Sequence, residues 1–392
     1  MPFSRVIEVE SATKKIVWEY REKRASDFFS PRISNAQRLP TEQHDDLQKS
    51  LGGSFLGHTR SLLRKIMIRI SICDLLGIEL PIIQAPISNA TCPELAAAVS
   101  NSGGLGMLSV TWRQPDEIRA VIRETRSLTE KPFAINLVLE SDVHDRLNIC
   151  LEEGVKIVSL FWGEPNSYIR ASHQAGALVI HSVGDVPEAQ EATSAGADVI
   201  VAQGWEAGGH VRGTVSTLTL VPAVVDAVAP IPVVAAGGIA DGRGIAAAFA
   251  LGASATWLGT RFVASEEALS HHTYKQKLLA AGVGDTIYST LFDVGWENAA
   301  HRALRNSTVE MWEKAGRPPR GERPKEGQVI ARKADGTPVV RYSFSSPLET
   351  MQGDVEGLVH YAGQSVGLIK DIQPAARIMQ RLKQETEEVM GQ

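Results

Sequence analysis

Cysteine is scarce in this chain: three residues in 392, Cys73, Cys92 and Cys150, far apart and with no CxxC pair. That scarcity excludes a disulfide framework and leaves no zinc-type spacing, so buried thiols are expected and no metal site is predicted. No apolar run approaches the ~18 residues that cross a bilayer, and the N-terminus lacks a continuous signal-type apolar region. An excess of positive charge is missing too. Against 40 Lys+Arg stand 45 Asp+Glu, a formal net charge of -5, which supplies no footprint for nucleic acid. The expectation is a soluble, cytoplasmic protein acting on a small molecule, with neither a membrane nor a nucleic acid as partner. Aromatic residues make up only 6%, yet apolar residues reach 43%, enough for one large barrel with insertions or for two domains.

The first 66 residues differ in character from the rest. They carry 12 Lys+Arg and 8 Asp+Glu, whereas residues 67–392 carry 28 and 37. Val6-Ile7-Glu8-Val9-Glu10 and Lys15-Ile16-Val17-Trp18-Glu19-Tyr20 read as two short strands of a β-hairpin around a Ser-Ala-Thr turn. With Phe28-Phe29-Ser30-Pro31 and Gln37-Arg38-Leu39-Pro40, the hairpin resembles one blade of arylsulfotransferase-like propellers. A single blade has no neighbour to close against. Residues 41–66 are polar and unpatterned, a linker by composition. The acidic residues of this stretch also count against a mitochondrial targeting peptide. We therefore expect an appended extension over 1–66, without a part in the chemistry, and a catalytic domain over 67–392.

From Leu80 onward short apolar runs alternate with amphipathic stretches of helix length. The runs are Pro81 to Ala85, Leu105 to Leu108, Phe133 to Leu137, Ile157 to Leu160, Leu178 to His181, Val199 to Ala202, Pro232 to Ala235 and Ala255 to Leu258. Helix-start signals lie between them: Pro93, Pro115 and Pro187, each beside acidic residues. Eight such units predict an α/β fold of the (β/α)8 TIM-barrel type. A doubly wound open sheet is the competing architecture. Residues 283–350, rich in Gly, Pro and charge, read as a C-terminal insertion serving as lid, interface arm or disordered stretch. A closing helix is expected from about Pro374 to Val389.

In a barrel, the residues after each strand converge on one face. Here those are Gln84-Ala85-Pro86, Asn136, His181-Ser182, Gln203 to His210, Gly237-Gly238-Ile239 and Gly259-Thr260-Arg261. The stretch Gln203-Gly204-Trp205-Glu206-Ala207-Gly208-Gly209-His210 is the centre of the pattern. Its paired glycines let a flat ligand approach the backbone, and its imidazole is easily poised to move a proton. Gly237, Gly238, Gly259 and Thr260 follow strands seven and eight, whose loops commonly hold a phosphate on backbone N–H groups. Either glycine pair also reads as turn chemistry. Glu206 either orients its loop or assists proton transfer. Arg261 reads as a phosphate partner or a solvated charge, and we leave it out of the site. Trp257 reads as core filling, and Cys92 as a buried thiol near the first strand. Gln364 and Ser365 have the chemistry to hydrogen-bond a substrate, or else belong to a helix-packing turn.

Taken in order and at these separations, Gln84-Ala85-Pro86, Asn136, Glu206-Ala207-Gly208-Gly209-His210, Ala236-Gly237-Gly238-Ile239 and Gly259-Thr260-Arg261-Phe262 resemble the nitronate monooxygenases, formerly 2-nitropropane dioxygenases. They also resemble the related flavin-dependent enoyl-acyl-carrier-protein reductases. The resemblance runs from about Ser71 to Glu388 and implies FMN as cofactor. It places the phosphate on Gly237, Gly238, Gly259 and Thr260. The ring system would rest against Ala85, Pro86, Asn136, Gly208 and Gly209, with Ser182 and Gln203 beside it. By the same resemblance His210 is the catalytic histidine, acting as base or anion stabiliser while a nitronate and O2 give a carbonyl compound and nitrite. Relatives instead take hydride from NAD(P)H and reduce a quinone or an enoyl thioester, and the fold does not separate these activities. Gln203 is a departure, since some relatives carry an acidic residue there. A homodimer is compatible with all of this.

Overall fold

The computed structural model describes residues 4–9, 16–22 and 71–391. The chain divides into two units, Met1–Met67 and Ile68–Gln392. In the first, β1 (Ser4–Val9) pairs antiparallel with β2 (Ile16–Glu22), Arg5 opposite Arg21 and Glu8 opposite Trp18. The blade-like residues 28–31 and 37–40 and the linker 41–66 lie outside the described residues.

In the second unit eight strands run parallel. They are β3 (Ile82–Gln84), β4 (Gly106–Ser109), β5 (Phe133–Val138), β6 (Ile157–Phe161), β7 (Leu178–Val183), β8 (Val199–Gln203) and, past the short β9 (Gly209–His210), β10 (Val233–Ala236) and β11 (Ala255–Leu258). Their order is β3-β11-β10-β8-β7-β6-β5-β4. A parallel bridge from Ile83 to Leu105 brings β3 back beside β4, so the sheet nearly closes on itself. This is the (β/α)8 barrel expected; a doubly wound sheet would leave two open edges. Each strand lies within two residues of its apolar run.

Alternation along the strands builds two layers of core. Ile83, Met107, Val234 and Ala236 fill the barrel interior, while their neighbours Ile82, Leu108, Val233 and Ala235 face the helices. The helix Ser71–Leu76 sends Ile72, Cys73 and Leu76 into the interior cluster at the strand-start end, so the opposite end is the one left for a site. Pro93, Pro115 and Pro187 all stand in the first turns of helices. The closing helix is Ala375–Met390. It lies against Gly242 so closely that a Cβ there would sit 2.3 Å from the backbone N of Thr386.

The insertion is not a structureless stretch. It holds β12 (Thr286–Ser289), β13 (His301–Leu304), the helix Ser307–Lys314, β14 (Val329–Arg332) and β15 (Pro338–Val340), with β16 (Gln352–Gly353) just beyond. Ile287, Phe292, Ala303, Val309 and Tyr342 give it a core of its own. Part of it is joined to the loop after β8: β12, β13 and β9 form one sheet. No helix among the described residues is long and apolar enough to cross a membrane.

Candidate active site

A cleft of about 1220 Å³, counted to its open mouth, lies at the C-terminal ends of the barrel strands. Ala85, Pro86 and Asn136 stand in its walls, as do Ser182 and Gln203 at the ends of β7 and β8. So do Gly208, Gly209 and His210, then Gly237, Gly238, Gly259 and Thr260, and finally Ser365. Gln364 does not; it donates its main-chain N–H to Glu206 O at 2.9 Å. Thus strand ends far apart in the chain meet around one space, as the parallel barrel requires.

The glycines differ in what they permit. Gly237 and Gly238 have φ of 103° and 73°, which favours glycine. A Cβ on Gly208 would lie 2.4 Å from the backbone N of Gly363, so that glycine serves close packing of two loops. A Cβ on Gly209 would meet nothing within 4 Å, leaving its backbone open. Glu206 accepts from the N–H and the hydroxyl of Thr217 at 2.9 and 3.0 Å. That bond ties the loop after β8 to the start of the next helix, the loop-orienting role.

His210 is held from both sides of its loop. Its carbonyl accepts from Gln203 Nε2 at 3.0 Å, and β9 pairs antiparallel with β13, His210 opposite His301. Around its ring stand Trp296 at 3.9 Å, Tyr361 at 5.3 Å, His301 at 5.6 Å and Trp162 at 6.3 Å, centroid to centroid. Burial among these rings, and secondarily the neighbouring His301, holds its pKa well below the ordinary histidine value. Neutral imidazole is therefore the resting form, which favours a base over an imidazolium. His301 is itself neutral, pushed to about 4 chiefly by burial. Its Nδ1 lies 2.9 Å from Ala299 O, and its Nε2 accepts from the Phe292 N–H at 3.3 Å, so the Nδ1–H tautomer fits.

Among the described residues the cleft walls contain no Asp, Glu, Lys or Arg. Three polar atoms in those walls are buried without a partner: Gln203 Oε1, His210 Nε2 and Ser270 Oγ. Buried polar groups normally find partners. Such orphans, in walls that also hold glycine backbone at positive φ, fit a flat cofactor with a polar edge and a phosphate tail. No group of metal-ligating side chains is present among the described residues.

The expectation for Arg261 is corrected, while Cys92 and Trp257 stand as expected, a buried thiol and core filling. Arg261 is neither solvated nor aimed at a phosphate: it is buried, paired with Asp371 Oδ1 at 2.8 Å, and donates to Asp371 O at 2.7 Å and Ala264 O at 3.1 Å. Cys92 caps a helix, accepting from the Leu95 N–H at 3.4 Å and donating to Glu267 O at 3.1 Å. Burial pushes its thiol up to about 12. Trp257 fills the barrel interior, as expected, and also floors the cleft. Sequence reasoning missed Trp112, Trp296, Phe344 and Tyr361, all wall residues. Only Tyr361 carried a local signal, in the small-residue stretch that follows it.

The family model described as nitronate monooxygenase matches residues 69–385. A nitronate monooxygenase of Paraburkholderia phytofirmans is 34% identical over 374 residues, covering 82% of this chain and 96% of that protein. The (3aS,4S,5R,7aS)-5-hydroxy-7a-methyl-1-oxo-octahydro-1H-indene-4-carboxyl-CoA dehydrogenase of Rhodococcus jostii is 34% identical over 331 residues, covering 78% and 92%. The solved structure of FabK from Thermotoga maritima superposes with a TM-score of 0.70 at 38% identity, covering 83% of this chain and 98% of that one.

Proposed function

This chain belongs to the nitronate monooxygenase family and is a flavin-dependent oxidoreductase, and from that premise we propose that it oxidises small alkyl nitronates and their parent nitroalkanes with O2, giving a carbonyl compound and nitrite. The observation that carries the reading is His210 Nε2: buried, unpartnered and on a neutral ring in the wall of an uncharged cleft. FMN is the flavin proposed, with its phosphate at Gly237, Gly238, Gly259 and Thr260. Its ring system would rest against Ala85, Pro86, Asn136, Gly208 and Gly209, with Gln203 and Ser182 at the polar edge. When bound, FMN supplies the electron chemistry and the engagement of oxygen.

The protein's own part is proton handling and exclusion of water. A neutral imidazole accepts the proton from the carbon next to a nitro group at Nε2. The aromatic walls keep water from that nitrogen and disfavour separated charge, so the proton moves only when the carbon acid lies against His210. A nitronate has already lost that proton and makes no such demand. Ser365 is proposed to contact substrate. Residues 1–66 are proposed to take no part, which expression of residues 67–392 tests: a flavin-free product would count against it.

A second reading, oxidoreduction of an acyl thioester or reduction by NAD(P)H, is supported by the Rhodococcus relative, whose name specifies a carboxyl-CoA compound. The test is anaerobic mixing with an alkyl nitronate and, separately, with NADH or NADPH, following flavin absorbance. Bleaching by the nitronate, with nitrite released on adding oxygen, supports the first reading. Bleaching by the nicotinamide alone supports the second.

A further inference from the structure

Beside the cleft lies a second, solvent-open cavity of about 1190 Å³, open solvent at its mouth included, walled in part by Trp162, His181, Ser182, Glu188 and Arg212. Ser182 stands in the walls of both spaces. Trp162 stands where they meet. Its ring contacts three wall residues of the cleft, Trp296 at 5.1 Å, Phe161 at 5.3 Å and His210 at 6.3 Å. Against the same ring, from the second cavity, lies the Arg212 guanidinium at 5.1 Å, itself paired with Glu188 at 2.5 Å.

The backbone enforces this position. Trp162 has φ of 68°, an unfavourable conformation for so bulky a residue. Gly163 follows at φ 58°, and a Cβ on it would lie 2.2 Å from Leu139 O, so the turn admits only glycine there. A strained aromatic held between two cavities by a turn with no freedom is a candidate functional device, since such strain persists where the surroundings over-determine it.

We propose that Trp162 is a specificity-determining partition, closing the cleft to long substrates, and that the cavity beyond it is a subsite for a substrate tail bearing a neutral hydrogen-bonding group. The tail's chemistry follows from the walls. Asn166, Gln190 and Ser194 offer amide and hydroxyl groups. Glu164, Glu188 and Glu191 line the same space, and its one Lys or Arg among the described residues, Arg212, is already paired with Glu188. A terminal hydroxyl suits that set, whereas a terminal carboxylate meets repulsion. The inference rests on the cleft at His210 being where substrate binds.

The test uses the flavin-loaded full chain, wild type, Trp162→Ala and Trp162→Phe, with nitroethane, nitrohexane and the ω-hydroxy and ω-carboxy derivatives of nitrohexane. Binding is read from anaerobic perturbation of flavin absorbance, and turnover from nitrite. Trp162→Ala is expected to improve affinity for the ω-hydroxy compound relative to nitroethane by about tenfold or more, the scale on which a few well-placed contacts discriminate. The ω-carboxy compound should gain less, and Trp162→Phe should stay near wild type. An unchanged ratio in Trp162→Ala overturns the partition, and an equal gain for the carboxylate overturns the tail assignment. Should the alanine variant not fold, Trp162→Leu carries the same comparison. A chain-length gain in binding without nitrite from any variant keeps the partition and removes the nitronate reading. Nitrite from the wild type with no gain in Trp162→Ala does the reverse.

Discussion

The imidazole of His210 and the indole of Trp296 lie 3.9 Å apart, centroid to centroid, with their planes 30° from parallel. One side chain comes from the loop after β8 and the other from the segment between β12 and β13. The insertion thus covers the histidine on which the proposed proton transfer depends, and with Tyr361 it keeps the ring neutral.

Trp296→Ala should therefore shift the pH dependence of turnover. Burial holds the His210 pKa below its ordinary value, so the base is deprotonated down to acid pH. Exposing the ring lets the pKa rise toward about 6.5. The acid limb of kcat/KM should then move to higher pH. A limb that stays in place would mean that Trp296 does not govern the protonation of His210.

His210→Ala should retain flavin and lose nitroalkane turnover by roughly 10²- to 10⁴-fold, the usual range for a general base. Nitronate turnover should fall much less, because the proton is already gone. Steady-state nitrite assays on matched nitroalkane and nitronate pairs check this. Equal losses on both would assign His210 to binding rather than to proton transfer.

Gly237→Ala and Gly238→Ala should separate fold from cofactor. A Cβ on Gly237 would come within 3.0 Å of Ala207 N, Gly204 O and Thr217 Oγ1, whereas on Gly238 the nearest atom is Glu206 Cβ at 3.4 Å. Both pay for positive φ, about 1–3 kcal/mol in thermal or denaturant unfolding. Gly237→Ala should be the less stable of the two. Gly238→Ala should fold, yet purify with less flavin; a fully loaded protein would contradict the phosphate assignment.

His360 predicts an acid sensitivity of folding. It is buried, neither ring nitrogen meets a protein partner, and burial pushes its pKa down to about 3. In the unfolded chain it takes up a proton below about 6.5 and in the folded chain only near about 3, so stability falls as pH drops through that window. His360→Leu should remove up to about 1.4 kcal/mol per pH unit of that slope. Unfolding followed by denaturant at pH 7 and pH 5 would show it, and parallel losses in the two proteins would refute it.

Much of the site's frame was legible because it is local. Val233-Val234-Ala235-Ala236 reads as a buried strand, and Gly237-Gly238 after it as a special backbone, from a few adjacent residues. The same holds for β8 and the run from Gln203 to His210. The walls were another matter. Trp112, Trp296 and Phe344 meet in pairs, at 6.0 Å for Trp112 with Trp296 and 5.5 Å for Trp112 with Phe344. Nothing near any of them in the chain announces that meeting. Arg261 was misread for a related reason: its partner Asp371 lies in the segment before the closing helix.

Strand and helix periodicity, turn glycines and helix-start prolines act through neighbouring residues, so the barrel and the strand ends on which the site is built follow from local patterns. The charge state of His210, the fate of Arg261 and the partition at Trp162 depend on which distant side chains share a space. Desolvation and pairing are set by that sharing, which arises when the folded chain brings those side chains together.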